Sequence, residues 1–166
     1  MAITYTPIST QTLGSNTATV TFSSIPATYT DLVVVFVGGV TGNNSLWFYL
    51  NGDTTTKYSG TFIAGNGTGV NTLNTANVSN TGNLMAFYNV GPQSLANQFN
   101  MNLMNYANTT TNKTTITRSG GGAYETEIWV NLYRSTSAIT SITYGAQSTG
   151  NYLAGSMFTL YGIKAA

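Results

Sequence analysis

The sequence predicts an all-β protein: an antiparallel sandwich or jelly roll of about eight to ten strands, forming a single domain over residues 1–166. Three observations predict it. Apolar residues recur at period two rather than at helical spacing. Candidate strands recur at roughly ten-residue intervals. The best helical candidate, Gly91–Met104, contains Pro92 and several asparagines and has no sustained apolar stripe.

Taken in order, Ala18, Val20 and Phe22 alternate with threonines and read as a half-buried strand. Leu32–Val37 is a β-branched run, the signature of a central strand covered on both faces, and Gly38-Gly39 ends it. Leu46–Leu50 is followed by Asn51-Gly52, a hairpin signal, with Tyr58–Ile63 as the returning strand. Gly65–Gly82 is poor in apolar residues and reads as a long exposed loop or arm. Leu84–Val90 is a strand stopped by Gly91-Pro92, and Phe99, Met101 and Leu103 alternate with asparagines in the next. Lys113–Ser119 is a short polar strand, and Gly120-Gly121-Gly122 a flexible turn. Ala123–Tyr133, Ala138–Tyr144 and Ser156–Ile163 complete the set. No repeat at a fixed period and no domain boundary is visible.

Composition narrows the functions. Threonine, asparagine, serine and glycine make up about half of the 166 residues, against only five Lys and Arg and four Asp and Glu. Five scattered cations cannot neutralise a run of phosphates, so nucleic acid is not the expected partner. With no histidine and no cysteine, imidazole catalysis, thiolate chemistry, disulfides and nearly all structural zinc sites are excluded. Met1–Thr10 has neither a basic nor an apolar region of a signal peptide, and the longest apolar run is far short of the ~20 residues that span a bilayer, so no membrane role is expected. So few charges give a lone monomer little protection against self-association, which favours a stable oligomer.

Little catalytic chemistry is on offer. Glu125 and Glu127 lie two apart, which on a strand puts both on one face about 7 Å apart, within the range used by glycosidases. Without a visible concave site they read instead as a solvated strand end, and no enzyme activity, cofactor or metal is expected. Asn51-Gly52-Asp53-Thr54 has oxygen ligands but lacks the repeated acidic spacing of a calcium loop, so it reads as turn chemistry. Sequons begin at Asn43, Asn66, Asn77, Asn108 and Asn112, as the composition alone would produce.

The aromatic residues carry more. Leu46, Phe48 and Leu50 oppose Trp47 and Tyr49; Ile128, Val130 and Leu132 oppose Trp129 and Tyr133. If the aliphatic sets face the core, Trp47, Tyr49, Trp129 and Tyr133 point outward, as interface or sugar-stacking residues. The competing arrangement buries both faces of these strands inside one subunit. Low surface charge favours the interface, since charges are depleted in interface cores.

The ending Ser156-Met157-Phe158-Thr159-Leu160-Tyr161-Gly162-Ile163-Lys164 resembles the S-x-F-x-L-Y-G-I-K finish of tailed-bacteriophage virion proteins. Ile25-Pro26 with Tyr29–Val33, Leu50–Asp53 with Tyr58-Ser59, Asn105-Tyr106 leading to Lys113-Thr114, and Ala138–Ile142 are similar to that group in the same order. The resemblance implies a jelly-roll β-sandwich carried on the virion, as a capsid decoration or cement protein or as a tail or fibre domain, with no catalytic residues. A sandwich that fills the chain from Met1 to Ala166 leaves no room for a stalk, which points to the decoration role. The expectation is therefore a homotrimer on the outer surface of a phage capsid, made in the bacterial host cytoplasm, that bridges adjacent copies of the major capsid protein. The alternative is a receptor module on the tail or a head fibre that binds a host glycan.

Overall fold

The computed structural model of the chain describes residues 4–42, 44–78, 85–90, 97–121, 125–147 and 149–164. Among them are twelve strands and no helix. The strands are β1 (Tyr5–Thr12), β2 (Thr19–Phe22), β3 (Asp31–Gly38), β4 (Asn44–Leu50), β5 (Tyr58–Gly65), β6 (Val70–Val78), β7 (Met85–Val90), β8 (Asn97–Met104), β9 (Lys113–Gly121), β10 (Thr126–Tyr133), β11 (Ile142–Ala146) and β12 (Met157–Ile163). All their ladders are antiparallel.

One sheet has the order β1-β12-β3-β8-β9-β10-β5-β6 and the other β2-β11-β4-β7. The first four strands of the large sheet and the whole small sheet form a jelly roll, in which each sheet interleaves strands from the two ends of the chain. Two hairpins are added to this frame. β5–β6 is inserted between β4 and β7, and β9–β10 between β8 and β11; together they lengthen one sheet from four strands to eight. β7 lies against β8, β9 and β10, so the small sheet reaches only the inner part of this extension.

Alternation builds the core. Val34 and Phe36 of β3, Phe99 and Met101 of β8, and Phe158 and Leu160 of β12 point from the large sheet. They meet Val20, Phe22, Leu46, Phe48, Leu50, Ile142 and Tyr144 from the small one. Phe36 sits 5.1 Å from Phe99 and 4.6 Å from Phe158 between ring centroids, and Phe99 meets Tyr144 across the sandwich at 5.3 Å. Burying each such side chain contributes about 1.5–3 kcal/mol, which is where the fold draws its stability.

The all-β sandwich follows the sequence expectation; several details do not. β1 has no strong sequence signal: Tyr5–Thr12 is a mostly polar edge strand whose alternation is broken at a bulge between Pro7 and Ser9. β3 is covered on both faces only in part: Val33 is buried on the outer side, but Val37 is exposed. Much of the expected Gly65–Gly82 loop is β6, held by its ladder to β5; residues 79–82 lie outside the described residues. Gly120 and Gly121 belong to β9, while Gly122 lies outside the described residues. Asn51 and Gly52 take the expected left-handed backbone, at φ 53° and 68°, and Asp53 N–H donates to Leu50 C=O at 2.9 Å. That turn does not close a hairpin. It carries the chain from β4 in one sheet to β5 in the other, and the Asn51 side chain braces the crossing by donating to Ala138 C=O and accepting from Thr140 N–H, both at 2.8 Å.

Candidate functional site

The four aromatic residues singled out by the sequence divide into two pairs. On β4 the aliphatic set is buried, and Trp47 and Tyr49 lie half-buried on the outer face of the small sheet. Their rings stack at 5.3 Å and 14°. Trp47 lies across Gly145 of β11, where a Cβ would collide with the indole, and its Nε1–H donates to Ala146 C=O at 3.1 Å. The absence of a side chain at Gly145 is what lets the ring lie flat on the sheet.

On β10 the expected orientation is inverted. Trp129 and Tyr133 are buried, at 0% and 4% exposure, whereas Ile128 and Val130 are exposed at 50% and 46%. The cause is β5. Its register sets Phe62 opposite Trp129 and Tyr58 opposite Tyr133, and both pairs stack, at 4.4 Å and 4.7 Å. Flat aromatic pairs cover more area than aliphatic ones, and Trp129 also gains a hydrogen bond from its Nε1–H to Glu127 Oε2 at 2.7 Å. Trp129 and Tyr133 are therefore packing residues of the extension, and neither offers a platform to a sugar.

The inversion places an aliphatic strip outside. Ile63 of β5 faces Ile128 of β10 directly, Val130 faces the half-buried Ile116 of β9, and Val70 of β6 flanks them at 72% exposure. A shallow groove of about 570 Å³ runs along Ile63, Ile128 and Val130. It shares Arg118 and Thr126 with a second groove of about 430 Å³ over Val35 and Asn100, and Thr61 and Val130 with a third of about 270 Å³ near Leu132. Charge is sparse. Arg118 stands on this face, and Arg134 reaches its rim to donate to Ser59 Oγ at 2.7 Å. The sequence signal for this surface was already present, since aromatics at spacing four on two strands, Tyr58/Phe62 and Trp129/Tyr133, invite pairing with each other.

Glu125 and Glu127 are not a solvated strand end: both are buried, at 7% and 3% exposure. Glu127 lies opposite Ser119 on the inner face of the extension, with its carboxylate on the Trp129 indole. Thr117 Oγ1, Ser119 Oγ and Asn131 Oδ1 on the same face are buried without a hydrogen-bond partner. Among the described residues, three of the five buried side-chain oxygens without a partner lie in this strip.

Asp53 is consumed by its own turn. Its carboxylate accepts from Thr55 N–H at 2.9 Å, Thr55 Oγ1 at 2.5 Å, Lys57 Nζ at 2.9 Å and Tyr133 Oη at 2.8 Å. Desolvation pushes its pKa up, but these donors outweigh it and hold the carboxyl well below the ordinary value. Desolvation and the Asp53 carboxylate push the Tyr133 phenol up to about 12. Because the folded pKa of Asp53 is depressed, its stabilisation is complete above the unfolded value of about 3.9 and is lost as pH falls toward the folded one. Asp53→Asn is expected to cost about 1–3 kcal/mol at neutral pH and to flatten the acid limb of stability. Thermal midpoints of both proteins from about pH 7 to about pH 2 check this; equal acid slopes would contradict it.

No protein-family model matches the chain, and no curated protein matches it. Among solved structures, an aerolysin-like protein of Bombina maxima aligns at 8% identity over 88% of this chain and 86% of that one, with a TM-score of 0.12. A score so low carries no argument about fold or function.

Proposed function

We propose that this chain is a structural subunit of a bacteriophage virion: a capsid decoration protein on the outer surface of the head that bridges adjacent major capsid proteins as a homotrimer. The observation that carries the proposal is the outer face of the four-strand extension. Its exposed Ile63, Val70, Ile128 and Val130 make an apolar strip with a sparse basic rim at Arg118 and Arg134. Exposed aliphatic surface of this kind marks a protein contact, and the jelly roll beneath is complete without the added strands. The sequence likeness to tailed-phage virion proteins supplies the setting. The work proposed is burial repeated over many copies, with no bond made or broken, and a basic rim fits a partner surface edged with carboxylates.

The test replaces Ile128 and Val130 by lysine. Wild-type protein added to particles that lack it is expected to bind and raise their heat resistance, and the double variant is expected to stay folded, lose the trimer and fail to bind. Protection by the variant equal to wild type would overturn the proposal.

The Trp47–Tyr49 stack favours a second reading, in which the half-buried ring pair on the small sheet binds a host glycan. In that case Trp47→Ala would abolish glycan binding while leaving the assembled mass unchanged.

A further inference from the structure

We infer that β6 is a self-association edge, pairing antiparallel with β6 of a second copy across a two-fold axis centred on Leu73. This rests on strand-edge chemistry alone and does not depend on the virion reading.

A sheet edge presents unpaired N–H and C=O groups, and proteins ordinarily blunt it with proline, charge, a bulge or shortness. Among the described strands, four lie at sheet edges: β1, β6, β2 and β7. β1 carries Pro7 and a break in register between Pro7 and Ser9. β2 has only four residues. The ladder of β7 with β4 shifts register twice. β6 is different: it has nine residues, no proline and no charge, and it is exposed along most of its length. The whole hairpin from Tyr58 to Val78 carries no charged residue, so two copies meet there without like-charge repulsion.

The sequence of β6 also specifies its partner. Asn77 is left-handed, at φ 54°, where the β5–β6 register shifts, so the regular edge runs from Val70 to Ala76. Its midpoint is Leu73. Antiparallel pairing about that residue sets Val70 against Ala76, Asn71 against Thr75, and Thr72 against Asn74, with Leu73 facing itself. Apolar meets apolar and hydrogen-bonding side chain meets hydrogen-bonding side chain, as an isologous contact requires. The two eight-stranded sheets would then run on as one. The exposed Val70 of each copy would come to lie beside the junction, joining the two aliphatic strips.

The lack of cysteine makes single-cysteine variants clean probes. Directly opposed residues in an antiparallel pair have Cα atoms about 4.5–5.5 Å apart, within disulfide reach. Val70 and its symmetry mate would be separated by about 20 Å. Under mild oxidation Leu73→Cys is expected to become a covalent dimer, Val70→Cys to remain uncrosslinked, and a mixture of Val70→Cys with Ala76→Cys to crosslink. In sedimentation, Leu73→Lys is expected to lower the assembled mass by removing the β6–β6 contact, leaving only what the outer face gathers, and to leave the near-ultraviolet signal of the buried Trp129 intact. Leu73→Cys crosslinking no better than Val70→Cys, or an unchanged mass for Leu73→Lys, would overturn the inference. The Ile128/Val130 double variant reports separately on the outer face, so failure of either idea is distinguishable from failure of the other.

Discussion

Trp129→Ala is expected to lower the stability of the separated subunit by about 3–5 kcal/mol, while Ile128→Ala, one residue away, changes it by no more than about 0.5 kcal/mol. Trp129 is fully buried, stacks on Phe62 and donates to the Glu127 carboxylate. With Phe62 and Ala64 it forms a small cluster separate from the main core. Truncation would empty the largest side chain of that cluster and remove a hydrogen bond from a buried carboxylate, and the remaining two residues are too few to collapse into the space. Ile128 is half exposed, and its loss removes little from water. Chemical denaturation of both variants checks the contrast. Equal and small losses would mean that β10 faces the other way and that the aliphatic strip belongs to the core.

Lys113→Met is expected to cost on the order of 3 kcal/mol, since hydrogen bonds from a charged group are worth about 1.5–3 kcal/mol each and water recovers part of the loss at these partly exposed carbonyls. Lys113 is fully buried at the head of β9. Its ammonium donates to the carbonyls of Asn108 and Thr111 at 2.7 Å and of Thr136 at 3.2 Å, so all three of its protons are used. Asn108 Oδ1 in turn accepts from the N–H groups of Thr110 and Thr111, folding the turn whose carbonyls the lysine gathers. Burial pushes the ammonium below its ordinary pKa, yet the three carbonyls replace much of the lost water. Methionine matches the stem and supplies no donor, so the turn and the segment after β10 come apart. Denaturation of Lys113→Met tests this; a loss under about 1 kcal/mol would mean that water replaces the ammonium without penalty.

The frame was legible because its strands alternate cleanly. Val20/Phe22 and Phe99/Met101/Leu103 alternate with polar residues and bury their one apolar face; Leu46/Phe48/Leu50 are also buried, although Trp47 and Tyr49 make the opposite face of that strand aromatic. The extension was harder for a physical reason. Both faces of β10 are apolar enough to be buried, so a rule that sends aliphatic residues inward chooses the wrong side. The partner strand decides the matter: Tyr58 and Phe62 offer stacking that Ile128 and Val130 cannot use. The sequence of β6 reads as a loop because it is poor in apolar residues and rich in asparagine, a poor strand former; backbone pairing to β5 overrides that preference. The buried Glu125 and Glu127 and the function of Lys113 depend on neighbours distant in sequence, which spacing alone does not reveal.

The measurement that tests the proposed role most directly is the copy number of this chain in purified virions, set against the major capsid protein on a calibrated gel. A shell-covering decoration protein predicts copies comparable to the capsid protein. A handful of copies per particle would contradict it and place the chain at the tail or a vertex.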